Sequence, residues 1–319
     1  MVKLRTALLL ALPLTVSAAD PGLLQLIMPD TQVLAGLQVN SAKNSLFGQY
    51  VLSHMQVDST GFQKLAAEIG FDPRSDVSEI VIASDWKSDG KRWLVVARGT
   101  FDVSKITSAA QANGGAATTY QGVHLVTYSQ PSSPLAQNAI AFFDASTAAL
   151  GDLDLVKAAI DRQKGGSAPT GGIFDTAQTV SSQNSFWFVT QVPLSQFSSV
   201  IPNPSGTANN NVLAGISQAS GGINFGDTVT ISTQAVARSD KDAQALVDVV
   251  RFFTSLVQMN KQQNPEAGQV AGLLNNLQTS TSGNVATISL AIPEQQLEQL
   301  LQMTQQSHQA RGKAAPQIN

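Results

Sequence analysis

The fold is decided by a stretch that reads EIVIASDWKSDGKRWLVVARGTFDVSKITSAAQA, residues 79–112. Two runs within it, 79–84 and 92–98, are apolar and rich in β-branched residues, which favours β-strands. The Asp-Gly pair between them supplies the positive φ angles that a tight hairpin turn needs. Asp102 then stands where an N-cap is expected, and the apolar residues after it recur at helical spacing. The stretch therefore predicts strand, turn, strand and helix.

A looser copy of this strand-to-helix junction occurs in the second half of the chain. The sequences VVAR at 95–98 and AVAR at 235–238 are each followed, after three residues, by an Asp and a helical pattern. The pairs Gln-Val at 38–39 and 191–192 also end strand-like runs before helices. Similar junctions in the same order predict two diverged copies of one α+β unit. The alternative to a repeat is that the two strand-to-helix junctions are similar by chance.

Residues 1–19 have the features of a secretory signal peptide. Lys3 and Arg5 form a basic start, an apolar run follows at 7–16, and small residues allow cleavage after Ala18 or Ala19. The apolar run is too short to span a bilayer. We therefore expect an exported protein, periplasmic or extracellular, without a transmembrane segment after signal removal. An uncleaved anchor is the alternative.

Composition excludes several classes of function. The chain has 319 residues, no cysteine and a formal net charge of −3, which becomes −5 when the two basic residues of the signal are removed. A mildly acidic chain is a poor partner for nucleic acid or anionic membrane surfaces. The absence of cysteine excludes disulfides, thiol catalysis and cysteine-ligated metals. Stability must come from packed cores, and the length favours two domains.

The domain organisation follows from a Gly-rich segment, KGGSAPTGG, at 164–172. Such a composition is typical of a linker. We expect a signal peptide at 1–19, a first α+β repeat at 20–165, a linker at 166–172, a second repeat at 173–311 and a flexible tail at 312–319. Strands cluster in hairpins with helices between the clusters, which favours α+β over a parallel sheet. The expected architecture is two related antiparallel-sheet units with helices packed on one face.

Histidine and serine residues form no recognised catalytic or metal-binding motif. His54, His124 and His308 lack any paired ligand spacing, so satisfied or solvated histidines are the favoured interpretation. Ser84 and Lys87 match the Ser-x-x-Lys pattern, but they fall in a predicted turn rather than at the start of a helix. We predict no catalytic, metal-binding or cofactor-binding residue and no cofactor, while the sequence leaves the binding residues unknown.

Charged residues at predicted junctions have structural interpretations. Arg98 and Arg238 occupy matching places before helices and could bind one anionic group, but structural arginines of a repeat are favoured. Asp152 and Asp154 are interpreted as the cap and first-turn charge of a helix. Asp85, with the Asp-Gly pair of the hairpin, only partly matches a calcium loop.

The layout resembles uncharacterised exported bacterial proteins built from two diverged α+β repeats. The resemblance is carried by residues 95–102, by the strand exits at 38–39 and 191–192, and by YQGV at 120–123. It implies an architecture and no known activity.

Three functions fit these observations. The first is an exported, non-catalytic binding or interaction protein. The second is a carrier of an apolar ligand such as a lipid, suggested by an apolar helix predicted over 241–260 and by the low share of charged residues. The third is a hydrolase with an unrecognised site, which a cleft that gathers Ser, His and Asp from distant segments would support. The partner is then a protein or an apolar small molecule, and not nucleic acid.

Overall fold

The computed structural model describes residues 18–54, 71–87, 92–130, 133–166, 168–197, 210–260 and 265–300. The strands are β1 (Val33–Gln38), β2 (Val77–Ser84), β3 (Trp93–Gly99), β4 (Ala116–Tyr120), β5 (Val123–Gln130), β6 (Ser133–Phe142), β7 (Thr147–Asp152), β8 (Phe186–Thr190), β9 (Ile216–Asn224), β10 (Thr228–Ala237), β11 (Leu277–Ser282) and β12 (Val285–Pro293). They form one sheet in the order β11-β12-β10-β9-β8-β1-β2-β3-β7-β6-β5-β4. Every neighbouring pair is antiparallel, which confirms the predicted fold class.

Helices occur between the strand clusters. They are α1 (Pro21–Gln25), α2 (Val39–Lys43), α3 (Leu46–His54), α4 (Pro73–Asp76), α5 (Val103–Ala112), α6 (Leu153–Gly165), α7 (Gly172–Ser181), α8 (Asn210–Ala214), α9 (Asp240–Asn260), α10 (Pro265–Leu273) and α11 (residues 294–300). The sequence patterns described above do not predict α7. Helix α8 ends at Ala214, and the segment after it turns into β9.

The organising stretch folds as its sequence predicts. Strands β2 and β3 pair with Val81 opposite Val96, and α5 follows directly. The Asp102 carboxylate accepts a hydrogen bond from the Lys105 backbone N–H at 3.1 Å, which caps the helix. The predicted turn residues at 89–90 lie outside the described residues.

The sheet has an apolar core on each face around β1, β2 and β3. The front core joins Leu34, Val81 and Val96 to residues of α1, α6 and α7. The back core joins Leu37 and Phe142 to residues of α2 and α5. Helices therefore cover both faces here, not the single face that we expected. The reason is that successive residues of β2 and β3 are apolar on both faces, so each face needs a cover.

The two halves of the chain meet at the centre of the sheet, where β1 pairs with β8 and Ala35 lies opposite Phe188. The strand order runs outward as β1-β2-β3 on one side and as β8-β9-β10 on the other. The two Val-Ala-Arg segments thus lie at the third strand on either side of this junction. Whether the two sides are copies of one unit stays a prediction.

Candidate functional site

An open groove of about 580 Å³ lies between α5 and the turn that joins β6 to β7. Its lining includes the apolar residues Val103, Phe142, Phe143 and Ala145 and the polar residues Ser104, Thr107, Ser108, His124 and Asp144. The volume falls within the range of small-molecule sites. The groove thus gathers Ser, His and Asp side chains from segments that are far apart in the sequence.

The back core supports the floor of the groove. Phe142 is 4% exposed and packs against Phe101, with 5.9 Å between the ring centroids. Phe101 in turn contacts Phe71 at 5.8 Å. Aromatic packing therefore supports the floor from below, while the α5 wall presents hydroxyl groups.

Asp144 is a fixed negative charge at the edge of the groove. Its carboxylate accepts hydrogen bonds from the Ser146 backbone N–H at 2.6 Å, the Ser146 hydroxyl at 2.7 Å and the Thr147 hydroxyl at 3.2 Å. Burial acts to raise the pKa of Asp144, but these hydrogen bonds hold it below its ordinary value. Asp144 is not among the residues predicted from the sequence, although an Asp two residues before a Ser is typical of an Asx turn.

Polar contacts connect Asp144 to the amino-terminal segment of the protein. The Arg98 guanidinium donates to the Thr147 hydroxyl and, at 2.6 Å, to Oδ2 of Asp20. The backbone N–H of Asp20 donates to Oε1 of Glu79 at 3.0 Å. Arg98 is therefore engaged in a structural network, as the sequence analysis favoured, rather than being free to bind an anion.

The pKa values of Asp20 and Glu79 shift in opposite directions, although burial acts to raise both. The hydrogen bond from Arg98 lowers the pKa of Asp20. Glu79 is only 7% exposed, and burial raises its pKa, which the Asp20 backbone N–H and the Gln38 side chain only partly offset. Nε2 of Gln38 is itself buried and makes no hydrogen bond of normal geometry within the described residues. Glu79 is thus a buried acid that forms no salt bridge with a described cation.

The groove does not assemble a nucleophile with its base. The Ser104 hydroxyl donates to Oδ1 of Asp102 at 2.8 Å, and Asp144 orients Ser146 and Thr147 rather than a histidine. Nothing in the described part of the chain joins a groove serine to His124 by a hydrogen bond. Nucleophilic catalysis by serine needs such a pair. The arrangement is suited to holding a ligand.

The structure separates the other histidine and serine candidates. His54 ends α3, and His308 lies outside the described residues. The Ser84 hydroxyl donates to the Arg92 carbonyl at 2.9 Å, whereas Nζ of Lys87 pairs with Asp30 at 2.8 Å. The Ser-x-x-Lys match therefore has no common site.

The acidic residues near the β2–β3 hairpin form ion pairs. The Asp85 side chain is fully buried, and its Oδ2 lies 2.8 Å from Nη2 of Arg92. Asp154 contacts the same guanidinium at 2.9 Å. Asp152 precedes α6 as predicted, but its carboxylate accepts from the Trp93 backbone N–H at 3.0 Å instead of capping the helix. Among the described residues no group of acidic or histidine side chains could hold a metal ion.

The remaining residues considered for ligand binding are Arg238 and the three tryptophans. Arg238 is exposed, and its backbone N–H donates to the Gly215 carbonyl at 2.9 Å. Trp187 is fully buried, and Trp93 is half-buried. Trp86 is also half-buried and packs against Phe197, with ring centroids 4.6 Å apart.

A second surface feature lies on the helices of the second half. Phe252 and Met259 of α9 are 48% and 75% exposed, and Val270 of α10 is 36% exposed. A smaller groove of about 410 Å³ separates α10 from α11 and is lined mainly by amide side chains. No helix in the described ranges has the length and apolar character needed to cross a membrane.

Comparison with known proteins relates the fold to solved structures. No protein-family model and no curated protein matches the chain. Crystal form I of TP0453 aligns with a TM-score of 0.51 and 11% identity over 89% of this chain and 97% of that one. Crystal form III of TP0453 aligns with a TM-score of 0.52 and 10% identity over 89% and 98%. At this identity the likeness concerns the fold alone.

Proposed function

We propose that this is an exported, non-catalytic binding protein whose groove beside α5 holds a small molecule. The observation that carries the proposal is the buried ring of Phe142 and the apolar side chain of Val103 beside the ionised carboxylate of Asp144. Export is proposed from the basic start, the apolar run and the small residues of the signal-like segment at 1–19. The site of action is then the periplasm or the outside of the cell.

The groove indicates the chemistry of its ligand. Its aromatic and aliphatic floor favours an apolar body, which loses contact with water when it binds. The hydrogen bonds to Asp144 keep its carboxylate negatively charged at the edge of the groove, which favours a cationic group on the ligand. The hydroxyl groups of α5 suit further polar groups. We infer an amphipathic ligand with a hydrogen-bond-donating or cationic end.

The experiment begins with protein purified from its native host. The sample is denatured and searched by mass spectrometry for a small molecule, whose affinity is then measured by calorimetry. Ser108→Phe fills the groove from an exposed position of α5, and we expect it to weaken binding at least tenfold. Gln111→Phe adds the same ring to an exposed position outside the groove and should leave the affinity unchanged. Equal affinity of both variants would place the ligand elsewhere.

A second candidate is the carrier of an apolar ligand, favoured by the exposed apolar side chains of α9 and α10. Phe252 and Met259 lie seven residues apart on one helix, so they face the same direction. We expect a double change, Phe252→Gln with Met259→Gln, to reduce uptake of a fluorescent fatty acid severalfold. Ile82→Thr alters an apolar side chain of similar exposure on β2 and serves as the control. Unchanged uptake in the double variant would reject this candidate.

A further inference from the structure

The chain first becomes buried at residues 19–20, next to the buried carboxyl group of Glu79. Ala18 is exposed, whereas Ala19 is only 3% exposed and its backbone N–H donates to the Ser181 hydroxyl at 3.0 Å. The next backbone nitrogen, that of Asp20, donates to Oε1 of Glu79 at 3.0 Å. The chain thus passes from solvent into the front core within two residues, at the position where the signal-like segment ends.

Glu79 is poorly stabilised while residue 20 is part of a continuous chain. The Asp20 peptide N–H and the Gln38 side chain are neutral donors, and they only partly offset the cost of ionising a carboxyl group that is 7% exposed. Arg98, the nearest described cation, directs its guanidinium to Asp20 and Thr147 instead. In the uncleaved chain, the nitrogen of Asp20 is neutral and gives no reason for a buried carboxyl group to lie beside it.

We propose that cleavage after Ala19 makes Asp20 the mature amino terminus, and that its α-ammonium forms a buried ion pair with Glu79. The inference rests on the export proposed above. A signal peptidase of the host would hydrolyse the peptide bond: water adds to the Ala19 carbonyl carbon and the bond to the Asp20 nitrogen breaks. Ala19 leaves as a carboxylate, and both protons of the water end on the Asp20 nitrogen, which becomes an ammonium group.

The geometry also selects between the two cleavage positions that the sequence allows. Cleavage after Ala18 would leave the new ammonium group on Ala19, where the acceptor is the buried hydroxyl of Ser181. A buried ammonium group beside a neutral hydroxyl is costly. Cleavage after Ala19 places the same charge 3.0 Å from a carboxylate oxygen. The ion pair therefore favours Asp20 as the first residue.

Three other charges act on this pair. The Asp20 carboxylate attracts the new ammonium group, while Arg98 repels it and is itself held by Asp20. Asp144 acts on Arg98 from the far side of Thr147. The amino end of α1 also disfavours a positive charge, but α1 is only five residues long. Two carboxylates, those of Glu79 and Asp20, attract the ammonium group, and one cation, Arg98, repels it. The sum of these interactions therefore favours the charged ammonium form.

If the ion pair forms, the effect of Glu79→Gln on stability should depend on which residue is the first of the chain. With residue 20 inside a longer chain, Glu79→Gln removes a buried charge and keeps an oxygen that accepts the N–H, so stability should hold or rise. In a chain that starts at Asp20, the same change leaves a buried ammonium group unpaired, and the melting temperature should fall by roughly 4 °C or more at pH 7.

The experiment is a double-mutant cycle on chains made with defined first residues by cleavage of a fusion. One pair starts at Asp20 and the other at Ala18, whose position is exposed, and each pair carries Glu79 or Glu79→Gln. The pKa of the terminal amine, read by NMR after isotope-labelled dimethylation, should be higher in the Asp20 chain with Glu79 than with the substitution. Equal effects of Glu79→Gln in both backgrounds, or an unchanged amine pKa, would overturn the ion pair.

Export is tested separately by sequencing the amino terminus of protein secreted from the full-length gene. A start at Asp20 supports the proposal, and a start at Ala19 overturns the choice of cleavage position. An intact Met1 in the exported fraction, or no export, would contradict the export proposal. The double-mutant cycle still measures the pairing of Glu79 in that case, because its chains are made without secretion.

Discussion

Trp187 lies directly over Gly36 on the neighbouring strand of the sheet. The two residues are opposite each other in the β1–β8 pair, and a Cβ added to Gly36 would lie 2.4 Å from Cε2 of the indole ring. Trp187 is fully buried within the front core, so a shift of its ring would disturb the side chains packed around it. This contact joins the two halves of the chain.

We therefore predict that Gly36→Ala destabilises the protein by about 2 kcal/mol or more, because the added methyl group overpacks the core. Chemical unfolding followed by tryptophan fluorescence measures the change. Gly272→Ala is the matched control: it lies in α10 with nothing within 4 Å of the added Cβ and should stabilise, since alanine favours helix. A harmless Gly36→Ala would show that the indole ring can shift.

The buried ion pair of Asp85 supports a prediction about pH. Burial acts to raise the pKa of Asp85, but the hydrogen bonds from Arg92 bring it below its ordinary value. A lowered pKa in the folded state means that the stabilisation is complete above the unfolded pKa, about 3.9, and is lost as the pH falls through the folded one.

Asp85→Asn should accordingly reduce the free energy of unfolding by about 2 kcal/mol at pH 7. The difference from the parent protein should stay constant between pH 6 and 8 and shrink below about pH 4. Urea unfolding at several pH values measures it. Asp30→Asn removes an exposed partner of Lys87 and should change stability by less than about 0.5 kcal/mol. A difference that persists at pH 3 would contradict the ionic origin.

The sequence predicts local structure well where residue patterns are decisive. The β2–β3 pair, the capped helix after Asp102 and the long helix α9 follow from alternation, turn chemistry and helical spacing. The pairing of β1 with β8 could not be predicted. Backbone hydrogen bonds are the same for every strand, so the sequence pattern of one strand does not specify which strand it pairs with. The ion-paired Asp85 and the buried Glu79 were read as turn and strand residues for the same reason: their partners are distant.

The sequence did not predict where the candidate groove lies. It indicated only that a cleft gathering Ser, His and Asp would support a hydrolase. Its residues carry no local motif, since α5, β5 and the β6–β7 turn meet only in the folded sheet. We predict that the groove does not hydrolyse esters, because no described hydrogen bond links a groove serine to His124. A panel of acyl-nitrophenyl esters should be turned over no faster by the protein than by His124→Ala. A rate that falls at least tenfold in that variant would revive the hydrolase alternative.

The last prediction concerns the two halves, which share the central strand pair and the front core. Five residues from the second half, Ile173, Phe174, Ala177, Trp187 and Val189, are buried in the front core with residues of the first. A fragment of residues 20–165 would lose these contacts and expose β1 as an unpaired edge. We expect the fragment to aggregate or to lack a cooperative unfolding transition.

A chain cut within the Gly-rich segment keeps all of these contacts, because both pieces remain in the complex. It should therefore unfold in a single transition close to that of the intact protein, apart from the concentration dependence that dissociation adds. Circular dichroism melts of the fragment, the cut chain and the intact chain make the comparison. Cooperative unfolding of residues 20–165 alone, at a temperature near that of the intact protein, would show that each half is an independent domain despite the shared sheet.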